Sequence, residues 1–317
     1  MARWLLGTMA QRLESLVPGH ERLHYLLQLH ITKSLRLNPT QFQARLSGEF
    51  RQHLHTCLTA KADRNTAPNV LELGTGWYPI APIAFYLCGA SEIWTFDIRP
   101  RLRAAAVRMA LQLFIEASER GELKKAMPWS HEDRIENLRK AYESDSSASA
   151  AEILRKLNIN VVVGDATNTS LPQASIDFFF SNMVLQYIGE NELLAIFKEF
   201  ERLAAPGAMM SHHIYLGDQN ACSDPSISPF NFFRFSDTAW RLLDSPLRLQ
   251  NRFRISDYRR IHQKAGWAIQ SEENIQGSLD DLRKIPLAKK FRQSSEGDLL
   301  TLRSMIVSRV SGRQERM

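Results

Sequence analysis

From Asn69 onward, apolar runs of strand length alternate with longer helical stretches, and nothing else in the chain restricts its fold as much. Residues 70–73, 93–97, 160–163, 176–180 and 209–216 read as five strands. Helical stretches at 79–88, 102–117 and 192–203 lie between them, the last stopped by Pro206-Gly207. A helix over 255–264, ending at Gly266, then precedes two more strands at 267–275 and 300–310. Strands joined through helices run parallel, because a parallel pair needs a long crossover, and the helices then cover both faces of the sheet. An α/β domain is expected.

Two stretches depart from the alternation: 120–156 is charged and helix-prone, and 218–251 is rich in Ser, Pro and Phe. Residues 1–65 read as an N-terminal helical extension, with Leu13, Leu16, Leu23, Leu26, Leu27 and Leu29 near helical spacing and a break at Pro18-Gly19. Residues 60–68 read as a linker. The expected organisation is therefore a helical cap at 1–65, then one domain over 66–317 with insertions at about 120–156 and 218–251.

With 317 residues and 44% hydrophobic content the chain can bury a sizeable core without disulfides or metals. Its three cysteines are an odd count with no C-x-x-C pair, so they read as reduced thiols and not as a zinc site. The net charge of +6 is spread along the chain, without a run of five basic residues; Arg101-Leu102-Arg103 and Arg252-Phe253-Arg254 are the densest patches. The apolar run at Trp4–Leu6 is too short for a signal sequence, and no window reaches membrane-spanning length. A soluble cytoplasmic protein with no membrane partner is expected.

The first strand runs into Glu72-Leu73-Gly74-Thr75-Gly76, a glycine turn of the kind that lets backbone approach a ligand closely. Two acids strengthen this weak signal. Asp97 ends the second strand, where a carboxylate can take ribose hydroxyls, and Asp165 ends the third, at the same open rim. Ligands of such sheets bind beyond the carboxyl ends of the strands.

Five pieces, VLELGTG at Val70 to Gly76, TFDI at Thr95 to Ile98, GDAT at Gly164 to Thr167, IDFFFSNMVLQYI at Ile176 to Ile188 and LAAPGAMM at Leu203 to Met210, occur in the order of one known family. Over about 69–310 the chain resembles the class I, S-adenosylmethionine-dependent methyltransferases. The resemblance implies a Rossmann-like seven-stranded sheet with helices on both faces, closed by an antiparallel final strand. It implies that Glu72, Gly74 and Gly76 face the methionine part of S-adenosylmethionine, and that Asp97, followed by Ile98, takes the ribose. Asp165 and Ala166 would lie at the adenine, and Ser181 and Asn182 would border the methyl. Tyr78 stands where many members carry a third glycine, which bears on loop shape. The product implied is S-adenosyl-L-homocysteine.

The acceptor is less determined. Base-amine methylation in this family goes with an Asn/Asp-Pro-Pro-aromatic turn, but the chain has Ser181-Asn182-Met183-Val184; no cysteine follows a proline, as carbon-5 pyrimidine chemistry would need. A nucleic-acid partner is therefore disfavoured. An alcohol or phenol acceptor needs a base, and His212 or His213 on the fifth strand is the candidate; strand alternation lets only one of them face the site. Tyr187, Tyr215, Phe232, Arg234 and Trp240 read as an acceptor lid, suited to a small organic molecule carrying a carboxylate or phosphate. His20, His24 and His30 would lie on the N-terminal cap. The stretch from Asn251 to Tyr258 is similar to bacterial methyltransferases of glycan or secondary-metabolite pathways. O-methylation of a small molecule is thus expected ahead of N-methylation. An RNA or protein methyltransferase, or an inactive cofactor-binding scaffold, are the rivals, and residues 1–65 could form either a lid or a homodimer contact.

Overall fold

The computed structural model describes residues 37–60, 66–222, 224–243 and 250–311. Two helices come first, α1 (Pro39–Ser47) and α2 (Glu49–Ala60). The alternating core follows as β1 (Asn69–Leu73), α3 (Ile80–Leu87), β2 (Glu92–Asp97) and α4 (Ala104–Glu119). The first insertion supplies α5 (Glu122–Ala126), α6 (Glu132–Tyr142) and α7 (Ala150–Arg155) before β3 (Ile159–Val163). Then come β4 (Ile176–Asn182), α8 (Glu190–Leu203), β5 (Ala204–Tyr215), α9 (Asp237–Leu243) and α10 (Ile255–Lys264). The chain closes with β6 (Trp267–Gln276), α11 (Leu279–Arg283), α12 (Glu296–Leu300) and β7 (Thr301–Val310).

The seven strands form one sheet in the order β3-β2-β1-β4-β5-β7-β6. Strands β1 to β5 are parallel, while β7 runs antiparallel between β5 and β6. The order reverses between β1 and β4, so their carboxyl ends open the crevice in which such sheets hold ligands.

Each central strand is apolar on both faces because both are covered. Val70 enters the core under α1–α7, and Leu71 enters the opposite core under α8 and α10. The α3 segment is apolar all round and buried from Ile80 to Leu87. By contrast α8 buries one stripe, Leu193, Ile196, Phe197, Phe200 and Leu203, at helical spacing. The α2 residues Phe50, Leu54 and Cys57 share a core with α3, so this part of the N-terminal extension is built into the first face of the sheet. The remaining cap positions, His20, His24 and His30 among them, lie outside the described residues, as does most of the linker.

The expected elements are present with small differences in their ends. The stop at Pro206-Gly207 falls differently: α8 passes straight into β5 at Ala204, and the register with β4 then shifts between Ile176↔Ala204 and Phe178↔Met209. Gly207 turns there at φ 73. The second insertion and the segment before β7 share a third core, including Phe230, Phe232, Phe233, Trp240, Leu282 and Phe291.

Candidate functional site

The site forms where β1 leaves the sheet. Gly74 has φ 91 and its N–H donates to the Phe96 carbonyl at 2.7 Å, holding the turn against β2. A Cβ at this position would lie 2.3 Å from Val184 Cγ2, so any side chain here would force Val184 or the turn to shift. Gly76, at φ 65, faces open space and donates its N–H to Asp97 Oδ2 at 3.1 Å.

Register places the polar groups on one face. Glu72 pairs with Thr95 on β2 and Phe180 on β4, Phe180 pairs with Ser211 on β5, and two residues on Asn182 pairs with His213. Side chains of paired parallel residues, and those two apart along a strand, share a face. Glu72 is 4% exposed; Thr95 Oγ1 donates to its Oε2 at 2.5 Å, and Thr75 Oγ1 lies 2.5 Å from Thr95 Oγ1. Burial pushes the Glu72 carboxyl up to about 8; the Thr95 hydrogen bond opposes this and the nearby Asp97 charge adds to it.

Asp97 Oδ1 accepts from Arg99 N at 3.0 Å, and Arg101 Nε stands 3.9 Å from the same oxygen while its guanidinium lies over Trp77. A carboxylate has about four acceptor positions, so it can take hydroxyls besides these. Beside it Ile98 is 69% exposed, and Val163, paired with Asp97 across β3, is 53% exposed. These two apolar side chains at a polar rim suit a flat ring. Asp165 is exposed and accepts from Thr167 N at 2.8 Å. Ala166 instead turns inward, buried with Leu73 and Phe96.

The two histidines separate. His212 is fully buried, stacked on Phe197 with ring centroids 5.2 Å apart, and its Nδ1 lies 2.8 Å from Ser181 Oγ. Burial, with His262 and His53 nearby, holds it well below the usual imidazole value. It and Ser181 therefore belong to the interior of the second face. His213 lies on the Glu72 face, its Nδ1 3.0 Å from Asn182 Oδ1. Met183 follows Asn182 at φ 59 and donates its N–H to the His213 carbonyl at 2.8 Å, which fixes this turn to β5.

Three of the five lid residues are buried. Phe232 and Trp240 are buried in the third core, and Tyr215 is buried with its hydroxyl donating to the Asp218 carbonyl at 3.4 Å. Only Tyr187 and Arg234 among them are open to solvent. Arg252-Phe253-Arg254 is no surface patch either: both arginines are 3% exposed. Arg254 donates to the carbonyls of Leu216, Asp298 and Thr301, and Arg252 donates to those of Phe232 and Phe235 and pairs with Asp237. Sequence reasoning also passed over Thr75, Thr95 and Asn251. Thr95 was findable, standing two residues before Asp97 and hence on its face. Asn251 was not, since its Nδ2 donates to the Leu185 and Ile188 carbonyls across a long loop.

Residues 132–211 match the family model described as "Methyltransferase domain", a stretch running from α6 into β5 that begins well after the glycine turn and so does not include it. That match, on a sheet of this order, supports the resemblance to the class I S-adenosylmethionine-dependent methyltransferases. No curated protein matches it. Among solved structures it is similar to an S-adenosylmethionine-dependent methyltransferase from Mesorhizobium loti (TM-score 0.45, 13% identity, covering 83% of this chain and 99% of that one). It is similar also to a SAM-dependent methyltransferase from Methanosarcina mazei (TM-score 0.42, 14% identity, 77% and 93% covered). A third is the geranyl diphosphate C-methyltransferase of Streptomyces coelicolor, solved with its diphosphate substrate and S-adenosyl-L-homocysteine (TM-score 0.43, 10% identity, 81% and 80% covered). Among the described residues no helix is long and apolar enough to cross a membrane.

Proposed function

We propose that the chain transfers a methyl group from S-adenosylmethionine to an oxygen of a small-molecule acceptor. The residues present fit this cofactor: an open glycine turn at Gly76, Asp97 and Asp165 at the carboxyl ends of the neighbouring strands β2 and β3, and exposed Ile98 and Val163 for a ring. When bound, S-adenosylmethionine supplies an electrophilic methyl on a sulfonium centre. Gly74 and Gly76 would admit it, Asp97 would take the ribose hydroxyls beside Ile98, and Asp165 would meet the adenine edge.

The observation that carries the oxygen reading is the His213–Asn182 pair. An amide oxygen only accepts, so His213 Nδ1 is the donor in this contact, the arrangement in which the other ring nitrogen of a histidine can serve as a general base. A positioned imidazole of this tautomer can take the proton of a hydroxyl acceptor as the methyl is received. Solvent-open Tyr187 and Arg234 are the lid residues left to contact such an acceptor, Arg234 through a carboxylate or phosphate. Secondary-metabolite or glycan biosynthesis is the corresponding setting.

Calorimetric titration with S-adenosylmethionine and S-adenosylhomocysteine, then methyl transfer to a panel of hydroxyl and amine acceptors, tests both parts. Micromolar binding with hydroxyl turnover that is lost in His213→Ala is expected. Turnover confined to amines and indifferent to His213 would refute the oxygen reading.

A further inference from the structure

Resting on the reading that the glycine turn holds S-adenosylmethionine, we infer that cofactor binding drives a proton off Glu72, so that this one buried carboxyl makes cofactor affinity depend on pH. Glu72 stands on the central strand two residues before Gly74 and is 4% exposed. The Thr95 hydroxyl meets it at 2.5 Å, and the Thr75 hydroxyl lies 2.5 Å behind Thr95. Each hydroxyl has one proton. When Thr95 gives its proton to Glu72, Thr75 gives its own to Thr95, and the row is polarised toward the carboxyl.

Among the described residues no positive charge answers it. Among the described residues Glu72 forms no ion pair. From β2 it faces Asp97, which is negative, and Arg101 is drawn to Asp97 at 3.9 Å. From β4 the paired residue is Phe180, with Phe85 of α3 stacked on it at 4.7 Å. The α2 ring nearest Phe180 is His53, whose Nδ1 lies 2.8 Å from Ser211 Oγ of β5. His213 of β5 is bonded to Asn182. A carboxyl buried beside a second carboxylate keeps its proton at neutral pH, and burial does hold Glu72 up to about 8. A ligand bringing an ammonium and a sulfonium to this turn supplies the missing charge. The Glu72 O–H bond then breaks, its electrons stay on the carboxylate, and the proton leaves to solvent.

Titration of the full chain with S-adenosylmethionine at pH 6.5, in buffers of different ionisation enthalpy, counts the protons released. That pH lies below the range of about 7.7–8.0 in which the ligand's own amino group titrates. Wild type should release close to one proton per cofactor, and its affinity should rise roughly tenfold per pH unit from pH 6 toward 8. Glu72→Gln keeps the shape with no proton to lose, so it should release none and bind with a flat pH profile; Thr95→Val should move the midpoint of the wild-type profile upward. Binding by wild type without release, or equal release from Glu72→Gln, overturns the inference. Should Glu72→Gln fail to fold, the wild-type infrared difference spectrum decides. Loss of a protonated-carboxyl band on adding cofactor supports the inference, and its persistence overturns it. If neither S-adenosylmethionine nor S-adenosylhomocysteine binds wild type, the site reading itself has failed and takes the inference with it.

Discussion

Gly74→Ala and Gly76→Ala change the same turn by the same methyl group, and the structure assigns them different costs. At Gly76 only the left-handed backbone matters, since φ is 65 and nothing lies within 4 Å of the added Cβ. That costs about 1–2 kcal/mol for an L-residue. At Gly74 φ is 91, and the new Cβ would meet Val184 Cγ2 at 2.3 Å and Cγ1 at 3.3 Å. Carbon atoms rest at about 3.5–4.0 Å, so Val184 or the turn must move by more than an ångström. Such overpacking adds about 1–3 kcal/mol to the backbone strain. The totals are about 2–5 kcal/mol for Gly74→Ala against about 1–2 for Gly76→Ala.

A domain of this size loses roughly 2–4 °C of Tm per kcal/mol, so thermal melts should separate the two variants by several degrees. Val184→Ala isolates the cause. It removes both methyl groups that the new Cβ meets, so in that background Gly74→Ala should cost only the backbone term. The coupling from the double-mutant cycle should be about 1–3 kcal/mol. Equal melting of the two alanine variants, or a Gly74→Ala cost indifferent to Val184, would refute the claim that close approach of these two segments shapes the turn.

Three further outcomes are expected. Asp97→Ala should weaken S-adenosylhomocysteine binding by roughly 1.5–3 kcal/mol for each ribose hydrogen bond lost to a charged acceptor, and an unchanged calorimetric Kd would show Asp97 to be misassigned. His213→Ala should keep S-adenosylhomocysteine binding and lower methyl transfer roughly 10²–10⁴-fold, whereas His212→Ala should lower the melt through lost packing on Phe197 and leave methyl transfer by the folded protein near wild type; kinetics and melts on both variants check the division. His262 is buried, held down to about 4 from the usual 6.5, so the unfolded chain binds its proton more readily. Stability is therefore complete above about pH 6.5 and lost as pH falls through 4, by roughly 3 kcal/mol from this group. Denaturant melts between pH 7 and 4 on wild type and His262→Phe should show a shallower acid limb in the variant.

The alternation of strands and helices and the glycine turn were legible because they rest on local pattern, apolar runs buried on both faces and glycines at positive φ, whereas the antiparallel final strand came only with the family resemblance. The lid was not. Phe232 and Trp240 read as an acceptor cover because an aromatic-rich insertion looks the same whether it closes over a ligand or fills its own core. The deciding partners, Leu282, Phe291 and Leu300, arrive some fifty residues later in the chain, on segments with no periodicity that points back to the insertion. Arg252 and Arg254 misled for the same reason. Their charge suggests solvent, yet backbone carbonyls of the insertion and of the β7 approach satisfy both guanidiniums in the interior.

The two histidines show where pattern stops and pairing begins. Alternation along β5 states that His212 and His213 face opposite ways, but not which way is inward. Nothing in Ser211-His212-His213-Ile214 breaks that symmetry, since the whole stretch is buried. The neighbour breaks it: β5 is held against β4 so that His212 meets Ser181 and His213 meets Asn182. The same register sets Ser211 beside Phe180, and thereby Glu72 on the His213 face. A slip of one residue would exchange the histidines and bring His212 to the crevice. The register shift near Ala204, with Gly207 at φ 73, sets which histidine shares the Glu72 face, although it lies at the far end of β5.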